Sequence, residues 1–293
     1  MFYYVNGDFD LHLALMGGQA FRWQSNEGGY RGVIGGLSLE VSQHQGLFRI
    51  QVGNRGNHEK LSGEDICRYL EWYFRVDENS QGIRAILCED QVLAPIVRNL
   101  GVLRILRQDP WECIVSYICS IDSNIPKIRT NIGNICRLFG KEIPTDSGVT
   151  EHAFPPMQVI ADSSEEELRS LGLGFRAPYL LKTAQNLVSG EFDFSEMRRQ
   201  NIDKVRADLQ TLPGIGPKVA DCVLLYSLDR LDAFPIDRWV RRAVSNLYFR
   251  GEPIPDKDIK AWALVRFGAL SGYAQQYLFE WSRSEQIREA PIR

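Results

Sequence analysis

Hydrophobic and polar residues alternate in the first third of the chain. Residues 37–41 and residues 48–52 each place an apolar side chain at every second position. A period of two puts these side chains on one face of a strand, so the pattern predicts half-buried β-strands. Residues 35–36 and 44–46 contain glycines that would let the chain turn beside these strands.

From about Gly63 the apolar residues recur at the spacing of an α-helix. Asp109 followed by Pro110 has the pattern of a helix start, and later apolar residues keep the helical period. The helical positions are Ile66, Tyr69, Leu70, Tyr73, Phe74, Ile83, Ile86, Leu87, Leu93, Ile96, Val97, Leu100, Ile114, Val115, Ile118, Ile128, Ile132 and Ile135. The chain is therefore predicted to be an α+β protein, with a β-rich domain and flanking helices over residues 1–100 and a helical domain over residues 101–293.

Composition narrows the class of protein. The 293 residues are 44% hydrophobic, enough to bury a substantial core. No apolar run is long enough to span a membrane, and the amino terminus lacks the pattern of a secretory signal. We therefore expect an intracellular protein, in a bacterial cytoplasm or a nucleus, whose six cysteines are reduced thiols. The histidines are scattered and no cysteines form a CxxC pair, so neither a metal site nor a cofactor is expected.

The charge of the chain leaves nucleic-acid binding open. A formal net charge of −3 is not the basic balance typical of proteins that bind nucleic acid through bulk charge. A local basic cluster exists at Arg238, Arg241 and Arg242. This cluster is either a surface that faces phosphate groups or the solvated face of a helix, and the residues alone do not separate the two.

The most informative stretch begins at the end of a helix predicted over residues 202–209. Residues 212–216, Leu-Pro-Gly-Ile-Gly, place two glycines at alternate positions, which allows a tight turn and a close approach to another surface. Pro217 suits the first turn of the next helix. The exposed backbone N–H groups of such a hairpin bind phosphate without reading base sequence. An ordinary helix–helix turn is the alternative.

Lys218 follows directly, in the first turn of the predicted helix. The positive end of the helix dipole disfavours a protonated amine there, and a lysine must be neutral to act as a nucleophile. Cys222 lies four residues later, on the same helix face. A solvated surface lysine is the alternative interpretation.

Asp237 stands at the position of a helix N-cap. It follows Phe-Pro-Ile and precedes a run of apolar residues at helical spacing. The simplest interpretation is a cap and nothing more. A carboxylate fixed by backbone donors is also suited to stabilise a cationic sugar in a transition state, and the two roles are compatible.

This order of features resembles the helix-hairpin-helix DNA glycosylases, in which a Gly/Pro-rich loop precedes a catalytic aspartate. Within that superfamily the chain is most similar to the 8-oxoguanine DNA glycosylases. Collinear blocks that match the family span most of the chain: residues 18–23, 106–110, 117–120, 171–177 and 272–275. The resemblance implies an amino-terminal antiparallel β domain joined to two helical subdomains, with the active-site cleft between them.

The resemblance also implies a reaction and a partner. The partner is double-stranded DNA that contains 8-oxoguanine, from which the damaged nucleotide is flipped into a pocket of a monomeric enzyme. Lys218 would attack the sugar carbon that bears the base, and the resulting Schiff base would allow β-elimination to nick the strand. Asp237 would stabilise the charge that develops on the sugar.

Four residues are assigned to the flipped base by the same resemblance. Cys222 and Phe279 would sandwich the base, and Gln275 would hydrogen-bond its Watson–Crick edge. The Gly18 carbonyl would accept the hydrogen that the oxidised base carries at N7, where guanine has a bare acceptor. One such bond changes discrimination by about 1–3 kcal/mol. Without the family, Gly18 is typical of a strand entry and Phe279 of a packed core.

Six further residues are expected at the DNA backbone or beside the base opposite the lesion. They are Gly214, Gly216, Arg238, Asp122, Lys127 and Arg176. Trp239 occupies the position where relatives usually carry a phosphate-contacting histidine, so either that contact is lost or Arg238 replaces it.

The chain departs from its eukaryotic relatives near the opposite base. Asp122 and Ser123 stand where those relatives have asparagines, and Lys127 and Phe175 replace an arginine and a tyrosine, whereas Arg176 is retained.

Two other functions compete with this interpretation. Another glycosylase of the superfamily is one, acting on a different damaged purine. The iron–sulfur members usually carry four cysteines beyond the aspartate, and this chain has none after Cys222. Alkylpurine glycosylases lack the lysine found here at Lys218. The second alternative is a non-catalytic protein that uses the hairpin only to bind DNA, which would leave Lys218, Asp237 and Gln275 without a role.

Overall fold

The structure is a computed structural model of the chain, and it describes residues 2–44, 46–53, 62–145, 148–190 and 192–289. The turn expected at residues 44–46 includes Gln45, which lies outside the described residues. Among the described residues, every helix is too short or too polar to pass through a lipid bilayer.

The amino-terminal part contains a five-stranded antiparallel sheet. Its strands are β1 (Phe2–Asn6), β2 (Trp23–Asn26), β3 (Gly29–Ile34), β4 (Leu37–His44) and β5 (Leu47–Val52). They lie side by side in the order β1-β5-β4-β3-β2. The two alternating segments of the sequence are therefore confirmed as β4 and β5, which pair with Val41 opposite Ile50. Gly35 and Gly36 form the turn that joins β3 to β4, both with positive φ.

The inner face of this sheet forms its own hydrophobic core. Two helices, α1 (Leu11–Met16) and α2 (Gly63–Tyr73), contribute to it. Trp23 and Phe48 are fully buried in it because alternate positions on each strand point to one face of the sheet, and Phe74, at the end of α2, is buried against them. Ser62 begins α2 with a capping box that includes Asp65, so local hydrogen bonds define where the helix starts.

The remainder of the chain is almost entirely helical, as the change of period predicts. Its helices are α3 (Ser80–Leu87), α4 (Ala94–Leu100), α5 (Pro110–Cys119), α6 (Ile125–Phe139), α7 (Met157–Ala161), α8 (Glu165–Leu168), α9 (Ala177–Val188), α10 (Phe194–Met197), α11 (Ile202–Gln210), α12 (Pro217–Ser227), α13 (Arg238–Tyr248), α14 (Asp256–Phe267) and α15 (Ser271–Glu289). A small hairpin of β6 (Glu142–Ile143) and β7 (Glu151–His152) follows α6. The expected α+β fold class is confirmed.

The second core is built around α5 and α12. Every residue of α12 from Val219 to Ser227 is buried, so this helix passes through the centre of the helical body. Asp221 is fully buried on α12, where it accepts a hydrogen bond from Arg206 of α11 at 2.7 Å and pairs with Lys260 of α14. A buried carboxylate is tolerated there because two cations compensate its charge. The helices α3 and α4 pack against this same core, and the domain division at residue 100 stays a prediction.

Buried hydrogen bonds connect the sheet domain to the helical body. The fully buried Gln19 donates through Nε2 to the Arg104 carbonyl and accepts from the Leu106 N–H, both at 2.8 Å. Gln108 donates to the Gln19 carbonyl at 2.8 Å, and its own backbone N–H donates to the Tyr226 carbonyl of α12. The loop before β2 is thereby fixed relative to the helix that carries Lys218.

Candidate active site

The glycine-rich hairpin joins α11 to α12 and packs against α9. Gly214 has φ +80°, and a Cβ on it would lie 2.8 Å from the Tyr179 Cβ, so both the turn and the close packing require glycine. Thr183 donates to the Pro213 carbonyl at 2.8 Å and holds the loop in place. The exposed Gly216 is the N-cap of α12, and glycine has no side chain with which to cap the helix start. The helix start is therefore available to a DNA phosphate.

Lys218 lies in the first turn of α12, half-buried and directed towards α5. Its Nζ donates to the Ser120 Oγ at 3.0 Å and lies 5.0 Å from the centre of the Tyr117 ring. Tyr117 in turn stacks on Tyr226, with ring centres 5.5 Å apart and an angle of 7° between the planes. This aromatic stack and the Ser120 hydroxyl fix the amine in one place. The sequence indicated the lysine but gave no role to Tyr117 or Ser120.

Asp237 caps α13, as its sequence position predicts. Its Oδ1 accepts hydrogen bonds from the N–H groups of Trp239 at 2.9 Å and Val240 at 2.8 Å. Both bonds use the same carboxylate oxygen, and they fix the orientation of the group.

Cys222 is buried one turn after Lys218 on α12. Burial raises the pKa of its thiol to about 12, the Asp237 charge acts in the same direction, and the Lys218 charge opposes them. The Cys222 thiol is therefore neutral at physiological pH and presents an apolar surface. Lys218 and Cys222 lie one turn apart on α12, and the Asp237 carboxylate is close enough to affect the pKa of the Cys222 thiol.

Gly18, Ile125 and Phe279 meet where the sheet domain contacts α6 and α15. Gly18 has φ +77°, and a Cβ on it would lie 3.2 Å from both the Ile125 Cδ1 and the Phe279 Cε1. Any side chain at this position would therefore fill the space against the Phe279 ring. The Tyr117 hydroxyl lies 3.4 Å from the Gly18 carbonyl oxygen. Because the Lys218 amine lies over the ring of the same Tyr117, the structure places the predicted nucleophile near Gly18 and Phe279.

Gln275 lies on α15, four residues before Phe279, and is buried. Its Oε1 is buried with no hydrogen-bond partner among the described residues. An unpaired buried amide oxygen costs about 1–3 kcal/mol, a cost that a bound ligand with a donor would remove. The location therefore suits a group that hydrogen-bonds the edge of a base.

The expected DNA-contact residues form two groups. Arg238 is exposed in the first turn of α13, with its guanidinium 4.9 Å from the centre of the Trp239 ring, next to Asp237. Arg241 differs, because its side chain is paired with Asp256 at 2.8 Å, which makes it a structural ion pair on the surface. Among the described residues, no cluster of His, Cys, Asp and Glu is arranged to hold a metal ion.

The second group surrounds the turn between α5 and α6. Arg176 is buried, and its Nε and Nη2 donate to the carbonyls of Ile121 and Asp122, with Nε at 2.7 Å from Ile121 and Nη2 at 2.9 Å from Asp122. The Phe175 ring covers the same guanidinium at 4.5 Å. Asp122 is exposed and has φ +44°, an uncommon conformation for a residue other than glycine. Arg176 thus shapes this turn, which the sequence did not indicate.

Lys127 completes the second group from the first turn of α6. It is exposed, and its Nζ would lie 3.0 Å from a Cβ built on Gly172, in the loop that leads to Arg176. The exposed Asp122 and Lys127 and the buried Arg176 are therefore neighbours around this turn.

The geometry thus combines an exposed helix start, a half-buried lysine on the same helix and a capped carboxylate at the start of α13. The family model for the 8-oxoguanine DNA glycosylase N-terminal domain matches residues 3–114, and the model for the HhH-GPD superfamily of base excision DNA repair proteins matches residues 115–265. The chain belongs to the HhH-GPD superfamily, with an amino-terminal domain of the 8-oxoguanine glycosylase type, and the family expected from the sequence is confirmed.

Relatives of this chain match it over nearly its whole length. A probable N-glycosylase/DNA lyase of Methanothermobacter thermautotrophicus is 29% identical, covering 94% of each protein. The N-glycosylase/DNA lyase of Saccharomyces cerevisiae is also 29% identical, over 92% of this chain and 82% of that protein. A crystal structure of the Clostridium acetobutylicum 8-oxoguanine glycosylase/lyase, bound to double-stranded DNA with cytosine opposite 8-oxoguanine, is 30% identical with a TM-score of 0.89 over 98% of both chains.

Proposed function

We propose that this chain excises 8-oxoguanine from double-stranded DNA and then cleaves the strand at the abasic site it has made. The activity expected from the sequence, a DNA glycosylase with lyase activity, is supported by relatives that carry both activities in their names. The observation that carries the proposal is the position of Lys218, whose amine is fixed beside Ser120 and Tyr117 next to the Gly18 and Phe279 wall.

Lys218 supplies the nucleophile in this proposal. A bond forms between its Nζ and the sugar carbon C1′, while the bond from C1′ to the base breaks and the base leaves with that electron pair. The C1′–O4′ bond then breaks, one proton passes from the nitrogen to O4′, and a protonated Schiff base between Nζ and C1′ remains. Removal of a proton from C2′ then expels the 3′ phosphate and nicks the strand. Asp237, held by two backbone N–H groups, places a carboxylate where it offsets the positive charge on the sugar.

The pocket wall accounts for the choice of base. Phe279 and Cys222 offer apolar surfaces for the two faces of the flipped purine, and Gln275 has a buried, unpaired Oε1 for its Watson–Crick edge. The Gly18 carbonyl accepts the N7 hydrogen that 8-oxoguanine has and guanine lacks. Gly214, Gly216 and Arg238 are the proposed phosphate contacts outside this pocket.

Three further expectations belong to the proposal. The enzyme acts as a monomer, because one chain contains every residue that the reaction uses. It works inside the cell, where its DNA substrate is found. Asp122, Lys127 and Arg176 face the base that loses its partner when the lesion is flipped out.

Borohydride trapping tests the lysine chemistry directly. Reduction of the Schiff base should join the protein covalently to a duplex that contains 8-oxoguanine, and Lys218→Gln should abolish this product while DNA binding changes little. Lys204→Gln is the matched control, because Lys204 is exposed on α11, where its amine hydrogen-bonds the Gln200 and Asp208 side chains on the protein surface. Substantial trapping by Lys218→Gln would refute the assignment of the nucleophile.

The same assay separates the alternatives. A wild-type protein that binds the duplex but never forms the covalent product would be a DNA-binding protein without this chemistry. A protein that releases a different damaged purine, and leaves 8-oxoguanine in place, would be another glycosylase of the superfamily.

A further inference from the structure

The loop that presents Gly18 to the pocket is anchored on several sides. We call residues 17–19 the recognition turn. Gln19 ties it to the backbone of Arg104 and Leu106, and the Tyr117 hydroxyl lies 3.3 Å from the Gln19 carbonyl oxygen. The third anchor is a side chain of helix α15.

Gln276 provides this third anchor. Its side chain is 1% exposed, and its Nε2 donates to the Gly17 carbonyl at 2.9 Å. Its Oε1 accepts from the Tyr226 hydroxyl at 2.5 Å, which fixes which end of the amide points to the turn. Burial raises the pKa of Tyr226, so this hydroxyl keeps its proton and remains a donor.

The neighbouring Glu280 closes the space around the same amide. Its Oε1 lies 3.5 Å from the Gln276 Nε2, and a Cβ on Gly17 would lie 2.8 Å from that oxygen. On the opposite side, the same Cβ would lie 2.2 Å from the Leu13 carbonyl oxygen. The recognition turn is thus packed directly between α1 and α15, and it has little room to shift without the Gln276 side chain.

We propose that Gln276 is a positioning residue that holds the recognition turn, and so sets the Gly18 carbonyl at the place from which it selects oxidised purines. Gln276 does not touch the base, because its amide is directed to the Gly17 carbonyl and to Tyr226. It acts through the backbone, one residue before the carbonyl that accepts the N7 hydrogen. This inference rests on the proposed function, since it concerns the base that the pocket accepts.

The reaction offers a readout that separates positioning from folding. Excision of 8-oxoguanine requires both the base-binding wall and Lys218. Cleavage of a preformed abasic site requires Lys218 and DNA binding but no base in the pocket. A change that only displaces the recognition turn should therefore slow the first reaction and spare the second.

Gln276→Met is the test variant, because methionine has a similar volume and no hydrogen-bonding group. We expect single-turnover excision of 8-oxoguanine to fall by about tenfold or more, the effect of misplacing one hydrogen bond in the transition state. Cleavage of a preformed abasic site should stay within about twofold of wild type. Tyr226→Phe removes the hydroxyl that orients the Gln276 amide. It should lower the ratio of the excision rate to the abasic-site cleavage rate, by a smaller factor than Gln276→Met does.

Tyr277→Phe is the matched control on the same helix. Tyr277 is 1% exposed, and its hydroxyl donates to the Gly101 carbonyl at 2.8 Å and accepts from the Leu103 N–H at 3.1 Å. Tyr277→Phe removes a buried hydroxyl that hydrogen-bonds the backbone, so it resembles Gln276→Met in kind. The hydrogen bonds it removes lie in a loop away from the recognition turn. The ratio of excision to abasic-site cleavage should therefore stay at the wild-type value in Tyr277→Phe.

Three outcomes are possible for the variant, and each is decisive. A fall in excision alone supports the positioning role. An unchanged ratio, whether both rates stay at wild type or both fall together, overturns it and leaves Gln276 as a structural residue. The proposed function is judged separately, on whether the wild-type protein excises 8-oxoguanine at all.

Discussion

The surface around Arg176 predicts how strictly the enzyme reads the base opposite the lesion. The test compares four duplexes in which 8-oxoguanine is paired in turn with cytosine, adenine, guanine and thymine. Strong rejection of a wrong partner, by four or five orders of magnitude, needs a dense set of hydrogen bonds that the wrong base leaves unmet. The question is how many such donors this surface can direct at the orphaned base.

Few directional donors remain available there. A guanidinium has about five N–H groups, and Arg176 uses those on Nε and Nη2 for the carbonyls of Ile121 and Asp122. Only Nη1 remains, and it already lies 3.4 Å from the Leu173 carbonyl oxygen. Phe175 has no hydroxyl, and the exposed Lys127 is a flexible point charge without a planar fork.

One charged hydrogen bond is therefore the expected basis of discrimination, worth about 1.5–3 kcal/mol, or roughly 10- to 150-fold in rate. Single-turnover excision on the four duplexes measures this ratio directly. Lys127→Arg, which adds a second planar fork to the same surface, should increase the preference for cytosine. Excision confined to the cytosine pair, with the other three pairs slower by about ten-thousandfold, would refute the reasoning. Residues other than Arg176 and Lys127 would then have to recognise the opposite base.

Two further predictions concern the carboxylates. Asp237→Asn should slow single-turnover excision by about 100-fold or more, since transition-state charge stabilisation is lost. Affinity for DNA and thermal stability should change little, because asparagine is also a good cap. Excision rates within a few-fold of wild type would show that Asp237 is a helix cap only. Burial raises the pKa of Glu112 and of Glu280 to about 7 from the ordinary 4.5, so the folded protein keeps protons that the unfolded chain releases. The free energy of unfolding should therefore decrease as the pH rises from about 4.5 to about 7, and Glu280→Gln should remove up to about 3 kcal/mol of that decrease in urea denaturation. A variant with the same pH dependence as wild type would contradict this.

Local rules were sufficient for much of the site. The alternation at residues 37–41 predicted a strand, Pro217 predicted the first turn of α12, and the context of Asp237 predicted an N-cap, because each depends on neighbours within a few positions. Such local patterns could not predict the contacts of the Lys218 side chain. Ser120 and Tyr117 lie about a hundred positions away along the chain, and only packing of α5 against α12 brings them to the lysine.

The same limit applies to Gln276 and Arg176. The order of residues does not predict that Gln276 donates a hydrogen bond to the Gly17 carbonyl, more than 250 positions away. It also does not predict that the Arg176 guanidinium donates to the Ile121 and Asp122 carbonyls. The resemblance to a family supplied roles only for positions that the family shares. The roles of residues to which the resemblance assigned nothing, such as Gln276 and Glu280, became visible only as contacts.

The recognition turn belongs to the sheet domain by sequence, whereas Lys218 belongs to the helical body. The proposed determinants of selectivity are therefore divided along the gene, with Gly18 near its start and Gln275 and Phe279 near its end. A chimera that joins the sheet domain of one relative to the helical body of another should keep the strand-cutting rate of the second parent, whereas its discrimination between 8-oxoguanine and guanine should depend on how the first parent's turn is held. Such an exchange would succeed only when the α15 side chain that meets the turn travels with it, so Gln276 would have to be transplanted together with a segment that lies at the far end of the coding sequence.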